Sequence, residues 1–343
     1  MPGNSKRSAL ISLLLLFIAI MASIAFGAVF ISPAVLWKII ASNIAESTII
    51  HTWPTSFETI LWQVRLPHTI LMALTGAALA SSGAAYQGLF RNPLADPYLI
   101  GVASGAGLGA IITLSIKWPS ELFGFYSIPF GAFIGAIITV ALVYRLARIG
   151  QTVPLTTLIL AGIALGAFTS SITSYLMLQS EDQLFRALSF LFGGSPVSGW
   201  QPVYAILPYL LIGMGLLSLS GHILNVLQFG DQQAAQLGLP VERAKVYLIA
   251  VASLTAAAAV SFSGIIGFIG LIVPHVYRIF VGADYRRLLP LSMVGGAAAL
   301  LFADLLARIL LAPQSLPVGI ITSLAGAPFF LWILRKAKIE VFW

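Results

Sequence analysis

The chain has no cysteine among its 343 residues. Disulfides, thiolate zinc sites, iron–sulfur clusters and a cysteine nucleophile are thereby excluded. Charge is scarce too. Asp, Glu, Lys and Arg make up 8% of the residues, where a soluble domain carries about 25%. So few charges cannot cover a globule with solvated surface, but in lipid an apolar exterior is what is needed. The hydrophobic share of 59% and the mean hydropathy of +0.98 agree. These values lead to an all-α polytopic membrane protein, one transmembrane domain over residues 1–343.

Several chemical signatures are also missing. No G-x-x-x-x-G-K-[ST] occurs, and none of the six lysines follows a glycine, so the chain has no P-loop of its own for ATP phosphates. There is no H-E-x-x-H and no G-x-S-x-G. His51, His68, His222 and His275 are scattered without ligand spacing. No catalytic constellation, cofactor or metal site is expected, which argues against an enzyme. The net charge of +7 comes from short basic groups between apolar runs, not from one basic patch. That pattern fits loops at a membrane surface rather than nucleic-acid binding.

Crossing the hydrocarbon core takes about 20 apolar residues. Ten stretches qualify: Ala9–Phe30, Leu66–Tyr86, Tyr98–Ile116, Phe125–Leu146, Thr156–Leu178, Val203–Leu219, Val246–Phe262, Gly267–Val281, Leu289–Leu311 and Val318–Leu334. With the N-terminus inside, thirteen Lys and Arg fall inside (Lys6, Arg7, Arg91, Arg145, Arg148, Arg243, Lys245, Arg278, Arg286, Arg287, Arg335, Lys336, Lys338). Five fall outside: Lys38, Arg65, Lys117, Arg186 and Arg308. The bias predicts both termini inside and an even number of spans. The first apolar stretch, about 22 residues, is longer than a signal-peptide core and reads as a retained span. Ser32–Ile44 is amphipathic and is expected along the membrane surface. Acids sit in loops or at span ends. Asp304 lies nearest to mid-span, with Arg308 four residues on, where a structural ion pair outweighs a proton relay.

Three polar stretches carry information. Gln87–Pro97, QGLFRNPLADP, is a stiff connection that serves as a helical hairpin or as a constriction at the inner mouth of a pathway. Gly221–Lys245 is expected to hold two short helices. Leu224, Leu227 and Phe229 share a side of the first. Asp231 caps the second, Ala234, Ala235 and Leu237 form its small apolar face, and Gly238 ends it. The pattern suits a docking knob and a hairpin resting on lipid equally well. In Gly264–Arg287 the glycines 264, 267 and 270 suggest a close-packing face. Pro274 is expected to kink or restart the helix, and the stretch Ser261–Pro274 to be a broken or re-entrant segment.

Several of these blocks resemble one family. Arg65-Leu66-Pro67, GAALASSGAAYQGLFRNPLADPYLIGVASGAGLG (76–109), LAGIALGA (160–167), GDQQAAQLG (230–238), GFIGLIVPHVYR (267–278), ADLLAR (303–308) and LPVGIITSLAGAPFFLWIL (316–334) are similar, in order and spacing, to the FecCD-like permeases of type II ABC importers for iron complexes, haem and cobalamin. The resemblance implies ten helices per subunit and a homodimer, or a pseudo-dimer of two related chains, with the pathway along the dimer interface. It implies two ATP-binding subunits inside and a periplasmic substrate-binding protein outside, in the bacterial inner membrane. It assigns ATPase coupling to residues 224–239, with Leu224, Leu227, Gly230, Asp231, Ala234, Ala235, Leu237 and Gly238, which favours the docking knob. It maps a cytoplasmic gate onto Asn92, Leu94, Leu155 and Thr156, and binding-protein docking onto Arg65, His68 and Arg308, giving Arg308 an exposed role. His68 stands where the family motif has Arg, Ser315 where Glu is usual, and Leu155 where Thr is common. Small-residue segments such as Ala103–Gly109 and Ala161–Ala167 would line a wide path. The alternative is a gradient-driven secondary transporter, which would need no ATPase.

Overall fold

A computed structural model describes residues 2–27, 29–44, 53–116, 124–179, 183–195 and 198–341. Lys117, one of the outside charges, lies beyond the described residues. The described chain is helical. In order it forms α1 (Pro2–Ala25), α2 (Pro33–Ile44), α3 (Thr55–Leu89), α4 (Val102–Ser115), α5 (Ser127–Ala147), α6 (Leu155–Gln179) and α7 (Leu184–Leu191). These are followed by α8 (Trp200–Leu219), α9 (Gly221–Leu227), α10 (Asp231–Gln236), α11 (Val241–Ser263), α12 (Ile269–Val281), α13 (Tyr285–Ile309) and α14 (Val318–Val341). Each of the ten expected spans has a helix at its place. Seven of the described helices are long and apolar enough to cross a membrane, while α4 and α12 are shorter.

Packing is organised around α3. Its sequence from Thr75 to Leu89 is small or apolar apart from Gln87, whose amide donates to Leu271 O, and each of those residues is buried. A helix without a polar face is an interior helix. Close approach explains the glycines. A Cβ on Gly76 would lie 2.2 Å from the Gly296 carbonyl of α13, and one on Gly83 would lie 1.8 Å from the Gly270 carbonyl of α12. Backbones this close leave room for no side chain. Tyr86 completes the block, its hydroxyl 2.6 Å from Ser253 Oγ on α11. At the other extreme, α6 buries only Leu158, Gly162, Thr169 and Thr173.

Three boundaries differ from expectation, each for a physical reason. The second span begins eleven residues earlier, at Thr55 rather than Leu66. Pro67 supplies no amide hydrogen and crowds the preceding turn, and the wide π-turn Ile60–Arg65 directly before it absorbs both effects. The third span is broken at its start, where a short 3₁₀ turn (Pro97–Ile100) leads through Gly101, at φ 88°, into α4. The helix after α11 restarts at Ile269, and Pro274 lies inside it. Gly264, Gly267 and Gly270 therefore do not share a helical face: Gly264 and Gly267 lie in the extended break, and Gly270 alone packs on α3.

The amphipathic stretch forms a helix, α2. Leu36 and Ile39 of α2 are buried against Ile24, Trp53 and Leu61, while Trp37 is 72% exposed. Helix α1 is tied into the bundle by Ser12 Oγ, 2.6 Å from Tyr277 Oη on α12, and by Ser23 Oγ, 2.8 Å from Thr69 Oγ1 on α3.

Candidate functional site

A cleft of about 650 Å³ opens between α4, α6 and the break before α12. Ala103, Ser104 and Gly107 of α4 form one wall, and Gly162, Gly166 and Ser170 of α6 another. Small and hydroxyl-bearing side chains leave the width. The third wall is the break between α11 and α12, with Ile265, Gly267 and Phe268. A break at this depth needs its backbone groups satisfied. The Tyr98 hydroxyl donates to Ile266 O at 2.8 Å, and Ile265 N donates to Phe190 O at 3.0 Å. Phe268 holds a left-handed conformation (φ 69°), unusual for a bulky residue, and its ring lies against Gly326 of α14. Asp96, in the loop at the cleft edge, accepts from Tyr98 N at 2.8 Å, and burial pushes its carboxyl up to about 6. The cleft is open rather than enclosed, and on α6, beside the lining Ile163, Leu160, Phe168 and Tyr175 are each more than half exposed.

At the end that gathers most of the basic residues, charges link several elements. Lys245 Nζ on α11 lies 2.6 Å from Asp231 Oδ2 on α10 and 3.0 Å from Glu242 Oε1. Arg91, in the loop after α3, reaches Asp231 at 3.7 Å. Glu242 Oε2 accepts from Val153 N, just before α6, at 3.0 Å. One network thus ties α10 to both segments that carry the expected gate. Asn92 is exposed, and its side chain accepts from Leu94 N at 2.9 Å to form a tight turn. Leu155 and Thr156 open α6, half-buried and exposed respectively. No hydrogen bond among the described residues joins the Asn92–Leu94 pair to the Leu155–Thr156 pair.

The short helices α9 and α10 stand where two were expected, with different faces. Leu224, Leu227 and Ala234 are buried, whereas Phe229 and Leu237 are 64% and 66% exposed and Ala235 is exposed. Phe229 therefore does not share the Leu224–Leu227 side, and Ala235 and Leu237 do not share the face of Ala234. Asp231 is the first residue of α10 rather than its cap. Gly230 (φ 96°) occupies the cap position with no side-chain bond, and the Asp231 carboxylate turns to Lys245. Gly238 (φ 86°) ends the helix as expected. A second knot holds α9 to the start of α13. Asn225 Nδ2 donates to Asp284 Oδ1 at 2.6 Å, and Tyr285 N donates to Asn225 Oδ1 at 2.8 Å. The bonded Arg286 guanidinium, with Asn225, holds the Asp284 carboxyl well below the usual carboxylate range.

At the opposite end Arg65, His68 and Arg308 converge, as a buried cluster rather than a free surface. Arg65 is 6% exposed and donates to Ile24 O (2.6 Å), Ala25 O (2.9 Å) and Val29 O. Ile24 and Ala25 close α1, where a helix leaves its last carbonyls without intrahelical partners, and Val29 lies just beyond it. Asp304 accepts from Arg308 Nε at 2.9 Å and lies 2.8 Å from His68 Nε2. Arg308 also donates to Ser23 Oγ at 2.9 Å. The Asp304–Arg308 pair is thus a structural ion pair. The exposed role expected of Arg308 is limited to a side chain 18% accessible, and His68 is the more open at 32%.

Sequence reasoning missed Lys245, Glu242, Asn225 and Asp284 as organisers of the basic end. The Glu242–Lys245 spacing of three within a helix and Asp284 at the N-cap of α13, two positions before Arg286, were the available signals. The partners on other elements lie 14 to 89 positions apart.

Known proteins share this arrangement. The profile of the FecCD transport family matches residues 15–336. Over 287 residues the chain is 43% identical to the cobalamin import system permease protein BtuC of Halobacterium salinarum, covering 84% of this chain and 76% of that one. Over 297 residues it is 43% identical to the hemin transport system permease protein HmuU of Yersinia pestis, covering 83% and 87%. Among solved structures, one described as a metal-chelate type ABC transporter in an inward-facing conformation superposes with a TM-score of 0.80 at 29% identity, covering 97% and 99%. With its run of apolar helices, this is a multi-pass protein of the bacterial inner membrane. The chain belongs to the FecCD transport family.

Proposed function

We propose that the chain is the pathway-forming subunit of an ATP-driven importer and that its cargo is a metal chelate of the haem, ferric siderophore or cobalamin kind. The observation that carries this reading is the open-sided cleft of about 650 Å³. Its walls join small and hydroxyl-bearing residues to apolar ones such as Leu99, Met177 and Leu191, with no charged side chain but Asp96 to hold a large rigid solute. A cleft lacking one wall is half of a conduit. A second copy meeting this one across α6 and α14 would close it, since the outward side of α6 and Leu324, Leu331 and Trp332 of α14 are exposed and apolar. The relatives' cargoes, cobalamin and haemin, are metal-centred macrocycles and support the cargo class.

The charge bias assigns the Arg91–Asp231–Lys245 end to the inside. There the exposed side of α9 and α10, with Phe229, Gln232, Ala235 and Leu237, is the docking surface for a separate ATP-hydrolysing subunit. The Asp231 network passes its movement to the gate residues Asn92 and Leu94 through Arg91, and to Leu155 and Thr156 through Glu242 and Val153. A periplasmic binding protein delivers cargo at the opposite rim, near the open edges of His68 and Arg308, with Arg65 beneath holding the end of α1. On this reading residues 1–343 act as one permease domain.

The test is reconstitution with the cognate ATPase and binding protein in proteoliposomes, followed by uptake of haemin, a ferric siderophore or cobalamin. ATP-dependent uptake of one of them is expected. Uptake by the permease alone under a proton gradient would replace this reading with a gradient-driven carrier. The cysteine-free background also permits Ser174→Cys on α6, expected to cross-link between copies.

A further inference from the structure

Helices α5 and α11 cross with small residues between them, and the seam stays open. Ala136, Val140 and Ala141 on α5 and Ile249, Ala250 and Ala257 on α11 line a cavity of about 310 Å³ that is almost wholly apolar. At its basic end it runs into a second cavity of about 360 Å³, since Tyr144 and Val246 line both. Arg148, Gln151, Arg243 and Tyr247 line that mouth, and Arg145 stands on the border. Three guanidinium groups therefore surround the entrance to an apolar trough.

The charges at the mouth are not balanced within the chain. Glu242 lies there too, but Lys245 and Val153 N already engage its carboxylate. Arg148 bonds only Gly150 O at 2.9 Å and Gln151 Oε1 at 3.4 Å, both neutral. Among the described residues no acidic group pairs with Arg145 or Arg243. Guanidinium groups without carboxylate partners match phosphate oxygens in geometry and charge. Tyrosine favours the depth of lipid headgroups. A free phosphate would use the mouth and leave the trough unfilled. A docked soluble protein would do the same. An acyl chain would use the trough and leave the arginines unpaired. Only a molecule with both parts uses both.

We propose that the α5–α11 seam binds one anionic phospholipid from the leaflet at the basic end. Its phosphate sits among Arg145, Arg148 and Arg243, and an acyl chain lies along the alanines. This site stands apart from the cleft and touches the Asp231 network only at Glu242.

The test uses the whole transporter, permease with its ATPase, stripped of lipid and then offered phosphatidylglycerol or phosphatidylcholine. Retained lipid is counted by native mass spectrometry. Phosphatidylglycerol is expected to be retained at one molecule per permease copy and phosphatidylcholine not. Arg145→Gln and Arg243→Gln should each weaken retention about fivefold. Ala250→Trp should abolish it with every arginine in place, and millimolar inorganic phosphate should not displace it. Equal retention of the two lipids, or unchanged retention in the arginine variants, overturns the proposal. So does displacement by phosphate with Ala250→Trp silent, which would make the mouth a free-anion site. Loss of the ATPase with lipid retained would give the arginines to the partner subunit.

Discussion

Lys245 Nζ lies 2.6 Å from Asp231 Oδ2, with 4% of the lysine side chain exposed. A buried ammonium at the start of α11 is therefore satisfied by a carboxylate on the short helix α10. The aspartate keeps 43% of its side chain in solvent and can rehydrate, whereas the lysine has no such exit. Asp231→Asn should lower stability by about 1.5–3 kcal/mol, the worth of hydrogen bonds to charged groups, because it leaves the buried ammonium short of its charged partner, and Lys245→Met by less. Both should lower cargo moved per ATP hydrolysed while the ATPase still co-purifies. Unchanged coupling in both variants would remove the network from the proposed mechanism.

The contact of Gly83 with Gly270 admits no side chain. Gly83→Ala should cost about 1–3 kcal/mol or more through overpacking, and Gly83→Val should prevent recovery of folded permease. Thermal unfolding in detergent reads both. An alanine variant as stable as the parent would contradict the backbone spacing.

Gly166 is the counterexample on the cleft wall. A Cβ there would meet Ser104 Oγ at an ordinary 3.5 Å. Gly166→Trp is expected to fold and bind its ATPase normally while reducing uptake by tenfold or more. Normal uptake would mean that cargo passes elsewhere.

Arg65→Ala should loosen α1 by removing three donated bonds, a loss of about 1.5–3 kcal/mol, with Arg65→Lys restoring part of it. If Arg65→Ala keeps full thermal stability yet weakens binding-protein affinity, then Arg65 serves docking rather than the end of α1.

The Asn225–Asp284 knot gives a pH dependence. The folded-state pKa of Asp284 lies below its ordinary 3.8. Its contribution is therefore complete above that value and is lost as pH falls through the folded value. Asp284→Asn should remove that part of the acid sensitivity below about pH 4. Melting temperatures across pH 3–7 compare the two, and coincident curves would show that the knot contributes nothing.

The helices were legible because a membrane helix writes its length directly into hydropathy. The breaks were less so. Gly101 and the 264–268 stretch are marked by glycine, but whether a glycine bends a backbone or lets two helices touch depends on the neighbour, as Gly264 and Gly270 demonstrate. The short helices before α11 could be read, yet their faces could not. Phe229 is apolar and exposed, while the charged Lys245 is buried, and only three-dimensional partners decide such inversions. Arg65 and Arg308 read as an outer rim because the family resemblance assigns them to docking, although the spacing of four already pairs Arg308 with Asp304. That both would also turn to the end of α1 depends on residues as many as 285 positions away.

The contrast between α3 and α6 bears on how such a protein changes over generations. In α3 nearly every position is bound by a neighbour, so a new side chain there meets backbone. In α6 the positions along the cleft carry little of the packing. Changes in the width or polarity of the path can therefore accumulate on α6 without disturbing the frame, and one scaffold can be refitted to a different cargo by a few substitutions along a single helix.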